Sequence, residues 1–169
     1  MTDAQTATEA RDHLHICFVC TGNICRSPMA EVVLKDALAK ENLLDAVTVT
    51  SCGIGGWHIG QQADKRALAE LDRHGHDGST FRAHQYGPND AAADLIVALA
   101  TNHVAELVAR GGDRTKIQLL RDFDPAAPDN ASVDDPYYGG PSGFALTYDQ
   151  ICQAIPGIID WARSRLSRS

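Results

Sequence analysis

Cys20 and Arg26 stand six positions apart, and together they can hold and attack an oxyanion. The segment reads Cys20-Thr21-Gly22-Asn23-Ile24-Cys25-Arg26-Ser27-Pro28. It follows an apolar run (Ile16, Phe18, Val19) that suits a strand. It leads into helical periodicity, with Pro28 fit for a first helical turn. A short loop curling into a helix N-terminus aims several backbone N–H groups at one spot, and the helix dipole adds positive partial charge there. Gly22 offers backbone freedom, and Asn23 tolerates a left-handed conformation. The planar guanidinium of Arg26 can bind two oxygens of a phosphate at once. A cysteine at the bottom of such a cradle has its pKa lowered from about 8.5 into the range of roughly 3.5–7.5. The eight residues from Cys20 to Ser27 therefore read as a phosphate-binding loop with a nucleophile in it.

Displacing an alkoxide or phenoxide from phosphorus calls for a general acid. The far loop Asp134-Asp135-Pro136-Tyr137-Tyr138-Gly139-Gly140 offers two adjacent carboxylates. Residue chemistry alone leaves Asp134 and Asp135 both open, with Asp135 the stiffer because Pro136 follows it. Tyr137 and Tyr138 suit the wall of a pocket for a flat ring.

Cys17 and Cys20 form a C-x-x-C pair, but three residues apart on a strand their side chains point to opposite faces. Cys17 therefore reads as core rather than as a redox or zinc partner of Cys20. Cys25 shares the curled loop with Cys20 and reads either as a reversible disulfide partner or as packing. His13, His58, His74, His76 and His103 show no metal-ligand spacing. No metal and no cofactor is expected. Gly53, Gly55 and Gly56 read as turn formers.

The elements that must carry these residues follow from the pattern. The chain has 169 residues, 44% of them hydrophobic, which suits one domain. We expect a tail over 1–13 and a single domain over 14–169. The net charge of −7 argues against gripping nucleic acid or an anionic membrane. No apolar run approaches a membrane span, and Met1 to Asp12 lacks the apolar core of a signal peptide. Cytoplasmic residence, a monomer and no membrane insertion are the expectations. Strands are expected at about 15–20, 47–52, 94–100 and 116–120. Helices are expected at about 29–40, 64–74, 101–110 (with Thr101 as N-cap) and 144–166, the last kinked at Pro156. Strands alternating with helices argue for an α/β fold with a parallel sheet. Ligands of such sheets sit at the carboxyl ends of the strands.

The run Phe18 to Glu31, together with Ser51, Gly56-Trp57-His58-Ile59-Gly60 and Asp135-Pro136-Tyr137-Tyr138-Gly139, resembles the bacterial branch of the low-molecular-weight protein tyrosine phosphatases. The resemblance covers nearly the whole chain from His15. It implies a flavodoxin-like four-stranded parallel sheet with helices on both faces. It implies Cys20 as nucleophile, Arg26 as phosphate clamp and Asp135 as general acid and later base. It gives Ser27 a hydrogen bond to the Cys20 sulfur, and gives Asn23 and Ser51 the support of the loop. Thr21, Trp57, Tyr137 and Tyr138 become pocket walls for a phosphotyrosine ring of protein substrates. Tyr137 and Tyr138 also become sites for a tyrosine kinase. Some bacterial relatives leave the cell without a leader peptide. Two departures stand out. Phe81 takes the place of a histidine that supports the loop in many relatives, with His84 three residues on, and Cys52 stands where alanine is usual. An arsenate reductase of the same fold is the first alternative, disfavoured because no cysteine lies between Cys52 and Cys152. A phospholigand-binding domain without catalysis is the second.

Overall fold

The computed structural model describes residues 11–137 and 139–166. Four strands, β1 (Leu14–Cys20), β2 (Val47–Gly53), β3 (Leu95–Ala98) and β4 (Ile117–Leu119), form one sheet in the order β2-β1-β3-β4. All pairings are parallel, with Cys20 opposite Gly53 at the end of β1 and Phe18 opposite Val97. The helices are α1 (Arg26–Lys40), α2 (Lys65–Arg73), α3 (Pro88–Ala91), α4 (Thr101–Ala109) and α5 (Pro141–Arg165). Single turns of tighter helix occupy Leu44–Ala46, Arg114–Lys116 and Leu120–Phe123. This is the flavodoxin-like arrangement that the sequence implied.

β1 decides how the two faces are used. Leu14, Ile16, Phe18 and Cys20 point into the larger core with α1, α2 and α5. Cys17 and Val19 point into a second, smaller core with Cys52, Ile96, Leu107 and Ile117. The strand period of two therefore sends Cys17 and Cys20 to opposite faces, as expected. The apolar stripe of α5 (Phe144, Tyr148, Ile151, Ile155, Ile158, Ile159) is buried as one face.

Several boundaries differ from the sequence reading. α1 begins at Arg26 rather than Met29, because Arg26 and Ser27 are polar yet buried and so break the apolar pattern without ending the helix. α5 begins three residues earlier than expected, at Pro141. Thr101 is not a cap but the first helical residue of α4; Ala100 precedes it in extended backbone, and the Ser132 hydroxyl accepts the Thr101 N–H at 3.0 Å. Asp64 caps α2 by accepting the Arg66 N–H at 2.8 Å. Of the expected tail, residues 1–10 lie outside the described residues. Arg11 pairs with Asp94 at 2.7 Å, and its N–H donates to the Arg165 carbonyl.

One close approach locks α5 to the Leu120–Phe123 turn that follows β4. A Cβ on Gly157 would stand 2.3 Å from the carbonyl oxygen of Phe123. Gly157→Ala would gain roughly 1 kcal/mol of helix propensity. Overpacking against fixed backbone costs more, so we expect a net loss of about 1–2 kcal/mol, read as a lower urea midpoint. A rise in the midpoint would show that α5 and the Leu120–Phe123 turn are free to part.

Candidate active site

The order β2-β1-β3-β4 places its topological switch between β1 and β3, and the crevice outside their carboxyl ends is where ligands of such sheets sit. The loop after β1 curls there. Its carbonyls are turned outward: Cys20 accepts from Ile54 N–H, Thr21 from Gly55 N–H and Ile24 from Asp64 N–H, at 2.8–3.0 Å. With these three oxygens employed outside, the loop is free to aim its amides and the start of α1 at the concavity.

A buried carboxamide sets the curl. Asn23 is fully buried with φ at 59°, the left-handed conformation expected of it. Gly22 does not need that region; its role is closeness, since a Cβ there would press within 3.1 Å of the His58 ring. Gly53 is likewise tight, with the Gly22 carbonyl carbon 3.0 Å from where its Cβ would be. The Asn23 amide nitrogen donates to Ser27 Oγ at 2.8 Å and to Ser51 Oγ at 3.0 Å, and its oxygen accepts the His84 backbone N–H at 2.9 Å. Ser51 passes its own hydrogen to Glu31 Oε1 at 2.6 Å. Ser27, an acceptor from Asn23, keeps its own hydrogen available for Cys20 Sγ, 2.9 Å away.

Arg26 is buried, with its guanidinium fixed by the Val133 carbonyl (2.9 Å) and the Thr21 hydroxyl (3.4 Å). The Val133 N–H in turn donates to Leu99 at the end of β3, which fixes the acid loop to the sheet. The Asp135 carboxylate lies 3.6 Å from the Arg26 guanidinium and lines the same cavity of about 370 Å³ as Cys20. Asp134 is exposed and does not line it, which separates the two carboxylates that the sequence left open. Trp57, Tyr137 and Thr21 line the cavity as expected, and Ile24 and His58 join them. Trp57 is 70% exposed, its ring lying over Gly55 where any side chain would collide. Tyr138 lies outside the described residues.

Four contributors escaped the sequence reading. Glu31 ends the hydrogen-bond chain behind the loop; its position four residues after Ser27, on the same helix face, was the available signal. Arg66 donates to the Gly139 carbonyl and lies over the Tyr137 ring at 5.5 Å, bracing the acid loop. Val133 acts through its backbone. His103, given no role from sequence, is buried with Nε2 at 2.9 Å from Thr21 Oγ1. Phe81 sits in the larger core, and His84 supports Asn23 through its backbone while its ring turns to Asp90 at 3.0 Å. Cys25 is buried beside the cradle; burial, then Asp64, Cys20 and Asp135, push its thiol far up.

A flavodoxin-like sheet with a cysteine and an arginine around a cradle at the end of β1 defines a class of α/β protein built to hold a phosphate-sized oxyanion beside a thiol. Residues 15–168 match the family model "Low molecular weight phosphotyrosine protein phosphatase", and the chain belongs to that family. The low molecular weight protein-tyrosine phosphatase A of Mycobacterium tuberculosis is 47% identical over 159 residues, 94% of this chain and 97% of that one. The crystal structure of YfkJ from Bacillus subtilis has a TM-score of 0.84 at 31% identity, covering 90% of this chain and 96% of that one. An arginine phosphatase of Drosophila, DARP, has a TM-score of 0.78 at 31% identity, covering 86% and 96%.

His103 yields a pH prediction. Burial, followed by the Arg26 charge and partly offset by Asp135, lowers its pKa from 6.5 to about 4. Above pH 6.5 both folded and unfolded states hold it neutral. Between 6.5 and about 4 the unfolded state takes a proton that the native state refuses, so stability falls as pH drops, by up to about 3 kcal/mol. His103→Gln should lose less stability than the parent between pH 7 and 4 in urea titrations. Parallel stability curves would show that this histidine titrates normally.

Proposed function

We propose that the chain hydrolyses phosphotyrosine on protein substrates through a phosphocysteine intermediate, with Cys20, Arg26 and Asp135 in the roles named above. The observation that carries the reading is one cavity lined by the Cys20 sulfur, the Arg26 guanidinium and the Asp135 carboxyl, in a chain of the phosphotyrosine phosphatase family. The Cys20 thiolate attacks phosphorus in line, the bond to the phenolic oxygen breaks, and Asp135 gives that oxygen its proton. Water then attacks the phosphocysteine, Asp135 takes the water proton, and the sulfur departs as thiolate toward the Ser27 hydroxyl. The net change is ester plus water to phenol plus phosphate. Loop amides and Arg26 hold the equatorial oxygens in both steps. No cofactor enters the scheme.

The same reading places Trp57, Tyr137 and Tyr138 around the ring, with Tyr137 and Tyr138 open to a tyrosine kinase. A monomer working in the cytoplasm and in signalling completes it; among the described residues no helix is long and apolar enough to cross a membrane. Cys25 is the proposed partner for a reversible disulfide with Cys20 under oxidation. Mass mapping of peroxide-treated protein should recover a Cys20–Cys25 peptide, and its absence would leave Cys25 a packing residue.

The central test is a chelator-treated assay across aryl phosphates of graded leaving-group pKa. Cys20→Ser should have no turnover. Asp135→Ala should slow turnover by about 10²–10⁴-fold, most for the poorest leaving groups, while Asp134→Ala stays near the parent. Loss in Asp134→Ala instead would overturn the acid assignment. Phosphoarginine, arsenate and phosphotyrosine peptide are assayed side by side, and preference for either of the first two would overturn the substrate class.

A further inference from the structure

Behind the sheet, on the face away from the cradle, three donor atoms from three separate segments converge. Cys17 of β1 and Cys52 of β2 are both fully buried, with their sulfurs 3.7 Å apart. Asp90 of α3 is buried as well, and its Oδ1 lies 3.6 Å from the Cys17 sulfur. All three donor atoms lie within 4.8 Å of one another. We propose that Cys17, Cys52 and Asp90 form a binding site for a thiophilic divalent cation of the zinc type, with His84 as the outer partner that orients Asp90.

Distances are the first argument. Zinc stands about 2.3 Å from sulfur and about 2.0–2.2 Å from a carboxylate oxygen, so a tetrahedral site has donor–donor edges of roughly 3.5–3.8 Å. Two of the three edges, 3.7 and 3.6 Å, fall in that range before any ion is added, and the third is within 4.8 Å. The register explains why: Val19 pairs with Cys52, so Cys17 and Cys52 are diagonal neighbours on one face of parallel strands.

The second argument is how the carboxylate is held. Asp90 Oδ2 accepts the Gly87 N–H at 2.9 Å, which closes the turn into α3, and Oδ1 faces His84 Nε2 at 3.0 Å. A carboxylate oriented by an imidazole and a backbone amide is the outer support that metal ligands ordinarily carry. The His84 side chain is 47% exposed, so it links solvent to the buried Asp90 carboxylate.

Two sulfurs select the class of ion. Hard cations such as magnesium and calcium take oxygen ligands, whereas thiolates favour zinc, cadmium or cobalt. Binding converts two thiols to thiolates and releases two protons to solvent, with no change of oxidation state. The sequence hides the site because no two of its ligands have metal-ligand spacing along the chain.

The test uses the untagged full chain, reduced and chelator-treated, in the Cys20→Ser background so that the cradle sulfur cannot ligate. Cobalt(II) is the probe. Expected are one cobalt per chain, the visible bands of tetrahedral cobalt with a near-ultraviolet thiolate charge-transfer band, release of two protons, and displacement by zinc. His84→Ala should weaken binding about 10–100-fold. Cys52→Ala, a small change checked for folding by circular dichroism, should lose the charge-transfer band, and zinc should raise the Tm of its parent but not of this variant. Cys17→Ser should likewise lose the band, which guards against a misfolded first variant. No cobalt–thiolate band at all overturns the proposal, and so does a band of equal strength in Cys52→Ala. A band seen only when Cys20 is intact would place the ion in the cradle and overturn it too.

Discussion

The site depends on one buried amide side chain. Asn23 takes the left-handed turn that curls the loop, and every polar atom of its carboxamide is used: two N–H donations to Ser27 and Ser51 and one acceptance from His84. A buried polar group left unpaired costs about 1–3 kcal/mol, so these bonds are strong constraints on loop shape. They also set direction. Because Asn23 only donates to the two serines, Ser51 passes its hydrogen outward to Glu31, and Ser27 keeps its hydrogen free for the Cys20 sulfur when that sulfur is a thiolate. A backbone conformation thereby fixes the hydroxyl that hydrogen-bonds the Cys20 sulfur.

An acidic chain can still hold a dianion because the attraction is local. The net charge of −7 is spread over a surface where screening falls off within about 8–10 Å. In the cradle, amide edges, the start of α1 and the buried Arg26 act together over a few ångströms in a medium of low polarity. Thr21 adds to this set. Its oxygen is the acceptor for the Arg26 guanidinium at 3.4 Å and faces His103 Nε2 at 2.9 Å. The low pKa of His103 keeps it from placing a second cation against Arg26.

What the sequence revealed and what it hid divide on a physical line. The strand, the curled loop and the helix after it were legible because each depends on neighbours in sequence: the apolar run before Cys20, the left-handed Asn23, Pro28 in the first turn. The same holds for the split of Cys17 and Cys20 between faces. His103, Val133, Arg66 and Glu31 were hidden because their meaning lies in contacts across the chain. Thr21 and His103 are 82 positions apart, and Arg26 and Val133 are 107. Nothing local marks Val133, since its part is played by a carbonyl every residue owns. Residue chemistry alone favoured Asp135 over Asp134 only weakly, and the resemblance supplied the choice, because adjacent residues differ in where the backbone aims them; in the structure the contact of Asp135 with Arg26 is what tells them apart.

The five cysteines show that position, not residue type, assigns chemistry. Cys152 is partly buried on α5, with burial lifting its thiol. Hydrogen bonding to Cys17 and then burial lift Cys52, and burial with nearby carboxylates lifts Cys25. Each of these thiols is held in its protonated form, the unreactive one. Cys20 differs by standing where β1 ends at the switch between β1 and β3, with a hydroxyl at 2.9 Å and open space on its other side. Three residues back on the same strand, Cys17 faces the opposite way, against a second sulfur and a carboxylate. One strand thus presents the same atom to two different neighbourhoods. On one side a lone sulfur meets donors suited to an anion. On the other, paired sulfurs meet acceptors suited to a cation.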